Sequence, residues 1–223
     1  MDFKIVQIDR RTHRLIPSRF PPIAAFEDVA SAEDAAAVME LEGWTNDRLV
    51  LERVSRLPRE QWIFGEKNAS IVLASFLHAS PTGMRFNNGE LGAWYAAYEL
   101  RTAIAEVAHH LRREAILSRR DEMRLQYREY LSGHRGDFID VCGHQAHHPE
   151  LYDPADYEAS QVFGEKVRAT GKGGILYDSV RHKGGINLAA YIPKDILDVT
   201  TGSHFEIIVP LTGRIIARTL RTE

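Results

Sequence analysis

Arg85, Tyr95 and Glu106 follow one another at intervals of ten and eleven residues, and a second polar turn, "YDSVRHKGG" (177–185), lies far downstream. The arginine sits among glycines and asparagines in "GMRFNNG". A tight turn there would present its planar fork for bidentate binding of phosphate. Tyr95 can offer a flat ring to a flat ligand. Glu106 interrupts the apolar run "AIAEVA". Aimed into a cleft, its carboxylate could stabilise developing positive charge or activate a hydroxyl. Ser179 could orient that carboxylate or a sugar meeting it. Each residue alone also admits a plain structural role. Arg85 could brace its loop, Tyr95 could fill the core, and Glu106 could lie at the rim of a buried face with its head in water. Ser179 by itself says little.

Elements far apart in the chain must bring these residues together. "FKIVQI" (3–8) reads as a short strand, and "RLIPSRFPPIAAFEDVA" (14–30) as a proline-punctuated turn region. In "SAEDAAAVMELEG", Ser31 caps a helix, Glu33 and Asp34 favour its positive first turn, and Gly43 ends it. "NDRLVLERVSRLP" (46–58) and "NASIVLASFLHAS" (68–80) read as further helices stopping near prolines. "ELGAWYAAY" (90–98) has the aromatic content of a strand. "ELRTAIAEVAHHLRREAILSRRDEMRLQYREYL" (99–131) reads as one helix or two, with apolar Ile104, Val107, Leu111 and Ile116. After a histidine-rich loop come a helix, "YEASQVFGEKVRAT" (157–170), and two short strands, "ILYDSV" and "INLAAYIP", either side of "RHKGG". "HFEIIVPLTGRIIARTL" closes the chain as a hairpin about Thr212-Gly213. There is no internal repeat, low-complexity tract or flexible linker. Helices and short antiparallel strands that do not alternate as βαβ units predict an α+β fold.

With 223 residues, 44% of them hydrophobic, the chain can bury one sizeable core, so residues 1–223 are read as one domain. A net charge of −3 lacks the basic footprint of a protein gripping nucleic acid over a broad surface. The single cysteine, Cys142, cannot form an intrachain disulfide, which suits a reducing compartment. No apolar run approaches the roughly 20 residues of a membrane helix, and "MDFKIVQIDRRTHRL" has no signal-peptide core. A cytoplasmic protein without membrane or direct nucleic-acid contacts is expected.

Two other readings come from different segments. "HRGDFIDVCGHQAHHPELYDPADYE" gathers His134, Cys142, His144, His147 and His148, with Asp137 and Asp140, and zinc takes such ligands. The spacing lacks the helical His-Glu-x-x-His arrangement, and Gly143 and Pro149 imply a loop. A polar loop is the reading adopted, with no metal ligand assigned. "RREAILSRRDEMRLQYREYL" (112–131) would serve a pure binding module as a charged helical surface, although such runs are usually solvated faces.

"GMRFNNGELGAWYAAYELRTAIAEV" followed by "YEASQVFGEKVRATGKGGILYDSVRHKGGINLAAY" resembles the RES domain, named for an arginine, a glutamate and a serine. The shared pattern is the Arg–Tyr–Glu spacing and then a "Y-S-R-GG-N" turn, and it covers residues 83–191 best. The resemblance implies an ADP-ribosyltransferase-like core of short antiparallel strands with flanking helices. It also implies a toxin of a toxin–antitoxin pair that attacks NAD and is restrained by an Xre-type antitoxin. Carried over position by position, it places Glu106, Arg85, Tyr95 and Ser179 in the catalytic site. Arg14 resembles the family's early arginine, and Arg14, Arg19, Asn87 and Arg181 join Arg85 and Tyr95 as candidates for holding NAD. NAD is then a substrate, with no permanently bound cofactor. The family core is shorter than this chain, so the helical stretch 27–80 is expected to be an insertion. The acceptor of ADP-ribose could be water, phosphate or a protein side chain. The extra helical surface favours a protein target.

Overall fold

The computed structural model describes residues 3–20, 24–45 and 51–220. Its centre is a nine-stranded sheet ordered β1-β5-β6-β7-β3-β2-β4-β8-β9. The strands are β1 (Lys4–Val6), β2 (Thr12–Pro17), β3 (Trp94–Ala97), β4 (Glu122–His134), β5 (Phe138–Asp140), β6 (Gly174–Asp178), β7 (Ile186–Ala190), β8 (Ile196–Pro210) and β9 (Ile216–Leu220). All neighbouring pairs are antiparallel except β5 with β6. Five α-helices complete an α+β fold: α1 (Ala32–Thr45), α2 (Leu51–Arg56), α3 (Ala69–Leu77), α4 (Leu100–Leu117) and α5 (Glu158–Ala169).

Strand alternation explains how helices come to cover both faces. On β3 and β7, Trp94, Ala96, Leu188 and Ala190 point to a core shared with Ala35 and Met39 of α1 and with Val72, Leu73 and Phe76 of α3. The intervening Ala97 packs with Leu15, Tyr127 and the Ala103, Ala108 and Leu111 stripe of α4. Ala189 packs with Phe86, Tyr177 and Val167 of α5. The face opposite α1 and α3 is therefore divided between α4 and α5.

Several sequence expectations need correction. The Ser31 cap forms, its Oγ accepting from Asp34 N at 3.1 Å, but α1 runs through Gly43 to Thr45. Residues 46–50 of the helix expected from "NDRLVLERVSRLP" lie outside the described residues, and α2 occupies 51–56. The proline-punctuated stretch begins as strand β2. The second half of the long expected helix is β4, so "REYL" is no helical surface. In "EMRLQY", Met123 and Tyr127 are buried while Arg124 and Gln126 are exposed, a period of two that charge obscured. Pairing along both edges, with β2 and with β8, decided the matter. Within the histidine-rich stretch, "FID" forms β5.

One buried histidine couples this frame to pH. His134 is 7% exposed, with Nε2 2.8 Å from Thr12 Oγ1, while Nδ1 has no partner among the described residues. Burial pulls its pKa down to about 4. The folded value lies below the unfolded one, so this contribution is intact above about pH 6.5 and is lost as pH falls towards about 4. The loss should amount to about 3 kcal/mol. Urea midpoints measured down this range should fall more steeply for the parent than for His134→Gln. Parallel slopes would remove His134 as the cause.

Candidate active site

The sheet is nearly split at its middle. β2 and β3 pair only through His13 with Ala97. Outside this point β2 is paired along its length with β4, and β3 with β7. Towards Pro17 on one strand and Trp94 on the other the two part, and a cavity of about 740 Å³ occupies the gap. That volume is in the range of small-molecule sites, roughly 300–1,000 Å³.

Glu106 lies midway along α4, on the flank that turns from the sheet towards the cavity. Its Oε1 accepts from Ser179 Oγ at 2.6 Å and from Asn187 Nδ2 at 2.7 Å. Ser179 in turn accepts at Oγ from the backbone N–H groups of Arg181 and His182, at 3.1 and 3.0 Å. The serine proton is thereby directed at the glutamate. Both side-chain bonds fall on Oε1, and no described residue bonds Oε2. The carboxylate is thus held in orientation with one oxygen available to a ligand.

Arg85 is 6% exposed, and its Nη1 donates to the carbonyls of Leu151 and Asp153 at 3.0 and 2.9 Å. Its guanidinium lies 4.6 Å from the centre of the Tyr157 ring. Arg14 donates Nη1 to the Tyr95 carbonyl at 2.9 Å, bridging the split, and lies 4.6 Å from the Trp94 ring. Its Nε is buried without a partner among the described residues, and burial pulls its pKa down to about 10. Neither arginine forms an ion pair with a carboxylate among the described residues. Two guanidinium groups without such an ion-pair partner, lining one cavity, suit an anionic ligand.

Tyr95 has a different part from Glu106. Its ring lines the cavity, but its hydroxyl donates to Asn87 Oδ1 at 2.8 Å and accepts from Phe86 N at 2.9 Å. Burial pushes the phenol up, so it stays protonated. Tyr95 therefore fixes the turn that carries Arg85. The Asn87 amide is also committed there, Nδ2 donating to the carbonyls of Asn88 and Leu91 at 2.7 and 3.1 Å. Gly164 of α5 presses on the same turn, where an added Cβ would stand 2.0 Å from the Phe86 carbonyl oxygen.

Glu106, Ser179, Arg85, Tyr95, Arg14 and Asn87 thus converge on or against one cavity. Arg19 does not, since it is exposed over the Phe20 ring. Arg181 ties its turn to the Pro154 carbonyl at 2.7 Å and lies outside the lining. Asn187 was not singled out from sequence, although it closes the "Y-S-R-GG-N" pattern. Tyr177, which opens that pattern, Tyr157 and α3 also form walls, and no local motif announces Tyr157 or α3. Of the histidine-rich stretch, His144 and His148 pack their rings around Phe3, each 5.1 Å away. Among the described residues, no three His, Cys, Asp or Glu side chains converge as metal ligands. No helix among them is long and apolar enough to cross a membrane.

The chain is similar to proteins already known. The family model described as RES domain matches residues 50–209, a range that includes α3. An uncharacterized protein, y4oC, of Sinorhizobium fredii (strain NBRC 101917 / NGR234) is 38% identical over 125 residues, which span 52% of this chain and 50% of that protein. The chain thus matches about half the length of that curated relative. A chain in the crystal structure of the M. tuberculosis MbcT–MbcA toxin–antitoxin complex superposes with a TM-score of 0.48. It is 12% identical, over 89% of this chain and 86% of that one.

Proposed function

The chain belongs to the RES domain family, and we propose that it is a toxin-type enzyme that cleaves the nicotinamide–ribose bond of NAD and passes ADP-ribose to an acceptor. The observation that carries this reading is the half-open carboxylate of Glu106, held at Oε1 by Ser179 and Asn187 in a cavity with two arginines that form no ion pair with a carboxylate among the described residues. NAD offers what such a site lacks, a diphosphate for the arginines and a ribose that turns cationic.

When the C1′–N bond breaks, the bonding pair leaves with nicotinamide and neutralises its pyridinium. The sugar becomes oxocarbenium-like, as in glycoside cleavage. Glu106, through Oε2, stabilises that charge or holds the ribose hydroxyls. Arg85 and Arg14 take the diphosphate. Tyr95 fixes the arginine turn, and its ring forms part of the wall. Because the dipoles are already oriented, little reorganisation is needed as charge develops.

A protein side chain is the acceptor favoured here, making the reaction a mono-ADP-ribosylation. An Xre-type antitoxin would restrain the enzyme in the cytoplasm. Incubation with labelled NAD and a cell lysate tests this. Label on a discrete protein band is expected. Free ADP-ribose or its phosphate ester would instead make the chain an NAD hydrolase or phosphorylase. Intact NAD, with no growth arrest on expression of the chain alone, would overturn NAD cleavage altogether.

A further inference from the structure

At the vertex of the split sheet a second polar group faces the cavity. His13 stands opposite Ala97, and Ala97 stands opposite Asn187, in one row across β2, β3 and β7. Directly opposed residues of antiparallel strands project to the same face. His13 therefore shares a face with the amide that holds Glu106, with Ala97 between them in the row. Strands lie about 4.8 Å apart, so two steps put the backbones of His13 and Asn187 about 10 Å apart.

His13 is itself oriented. Its Nδ1 lies 2.7 Å from Glu129 Oε1, and Glu129 is 6% exposed. The other oxygen of Glu129 accepts from Ser203 N at 3.0 Å. Gly202 leaves room for this carboxylate, since a Cβ there would stand 2.4 Å from Glu129 Oε2. A carboxylate accepts, so the neutral imidazole carries its proton on Nδ1 and keeps a lone pair on Nε2. No described residue bonds Nε2, and His13 lines the cavity. This is a carboxylate–histidine pair lacking only the group it would deprotonate.

We propose that His13, oriented by Glu129, is the general base that takes the proton of the attacking acceptor. The inference rests on the NAD-cleaving reading above. In the step, the C1′–N bond breaks and its electrons go to nicotinamide. A lone pair on the acceptor oxygen forms the new bond to C1′. The proton of that oxygen passes to His13 Nε2, and the resulting imidazolium is balanced by Glu129. His13 would take the part that the water-activating carboxylate plays in inverting glycoside cleavage, with no acid needed because nicotinamide leaves neutral.

The test measures nicotinamide release from NAD by the parent and by His13→Gln, with water and then with azide as acceptor. Azide attacks as an anion and has no proton to lose. Release by the variant should fall about 10²-fold with water and recover towards the parent rate with azide, yielding ADP-ribosyl azide. Glu129→Gln, a change at a positioning residue, should show a smaller loss with the same recovery. Unchanged release by His13→Gln in water overturns the proposal. So does a loss that azide does not relieve in a folded variant, since that marks a structural role. If the parent itself releases no nicotinamide with any acceptor, the NAD reading fails first and the proposal falls with it.

Discussion

Glu106→Gln is expected to fold with unchanged thermal stability yet release nicotinamide from NAD about 10²- to 10³-fold more slowly, a loss of about 3–4 kcal/mol in transition-state stabilisation. The amide occupies nearly the same volume and can still accept from Ser179 and Asn187 through its oxygen. What it lacks is the charge that a cationic ribose would meet at Oε2. The loss should therefore appear in kcat, while NAD binding, governed by the arginines, stays near that of the parent. Steady-state kinetics and a direct binding measurement separate the two. Parent-like turnover would remove Glu106 from the chemistry.

Phe76→Ala is expected to cost about 3–5 kcal/mol of folding stability. For a chain of this size the melting temperature should fall by on the order of 10 °C. Phe76 is fully buried in α3, within the core shared with Trp94 and Ala96 of β3. Its carbonyl accepts from Gly92 N at 2.7 Å, tying α3 to the approach to β3. Because α3 also walls the cavity, the variant should bind NAD more weakly even where it remains folded. Thermal unfolding checks the first effect and NAD titration below the transition checks the second. A drop of only a degree or two would mean that the site refills with neighbouring side chains.

The stretch 27–80 was read from sequence as a helical addition of unknown purpose. The structure gives α3 a definite part, as a wall of the cavity and a cover for one face of the sheet. Whether a helix lines a site depends on which strands diverge beneath it, and periodicity carries no information about that. Residues 122–131 are the counterpart on the strand side. Their charges suited a helix on propensity, and only two long-range neighbours, β2 and β8, made extension the better outcome.

The residue types and spacing of Arg85, Tyr95, Glu106 and Ser179 were legible in the chain through their resemblance to the RES domain pattern. A half-buried carboxylate within an apolar helical run is costly unless something offsets it, and that mismatch is visible in the sequence. Their division of labour was not legible. Tyr95 reads from sequence as a flat surface for a ligand, and the structure adds that its hydroxyl is committed to Phe86 and Asn87. Asn87 lines the cavity with its amide tied to Asn88 and Leu91, whereas Arg181 ties its own turn to Pro154 outside the lining. Asn187 went unassigned although it holds Glu106. Hydrogen bonds between residues about eighty positions apart are set by strand register, which no local window encodes.

Sequence alone determined the α+β class and the principal helices, through local periodicity, and named Arg85, Tyr95, Glu106 and Ser179 as candidates. Tertiary structure alone decided that β2 and β3 separate beyond His13 and Ala97, opening the cavity that His13 and Glu106 both line. The reason is physical: strand pairing is a competition among distant segments, settled by the burial of both faces of the sheet together.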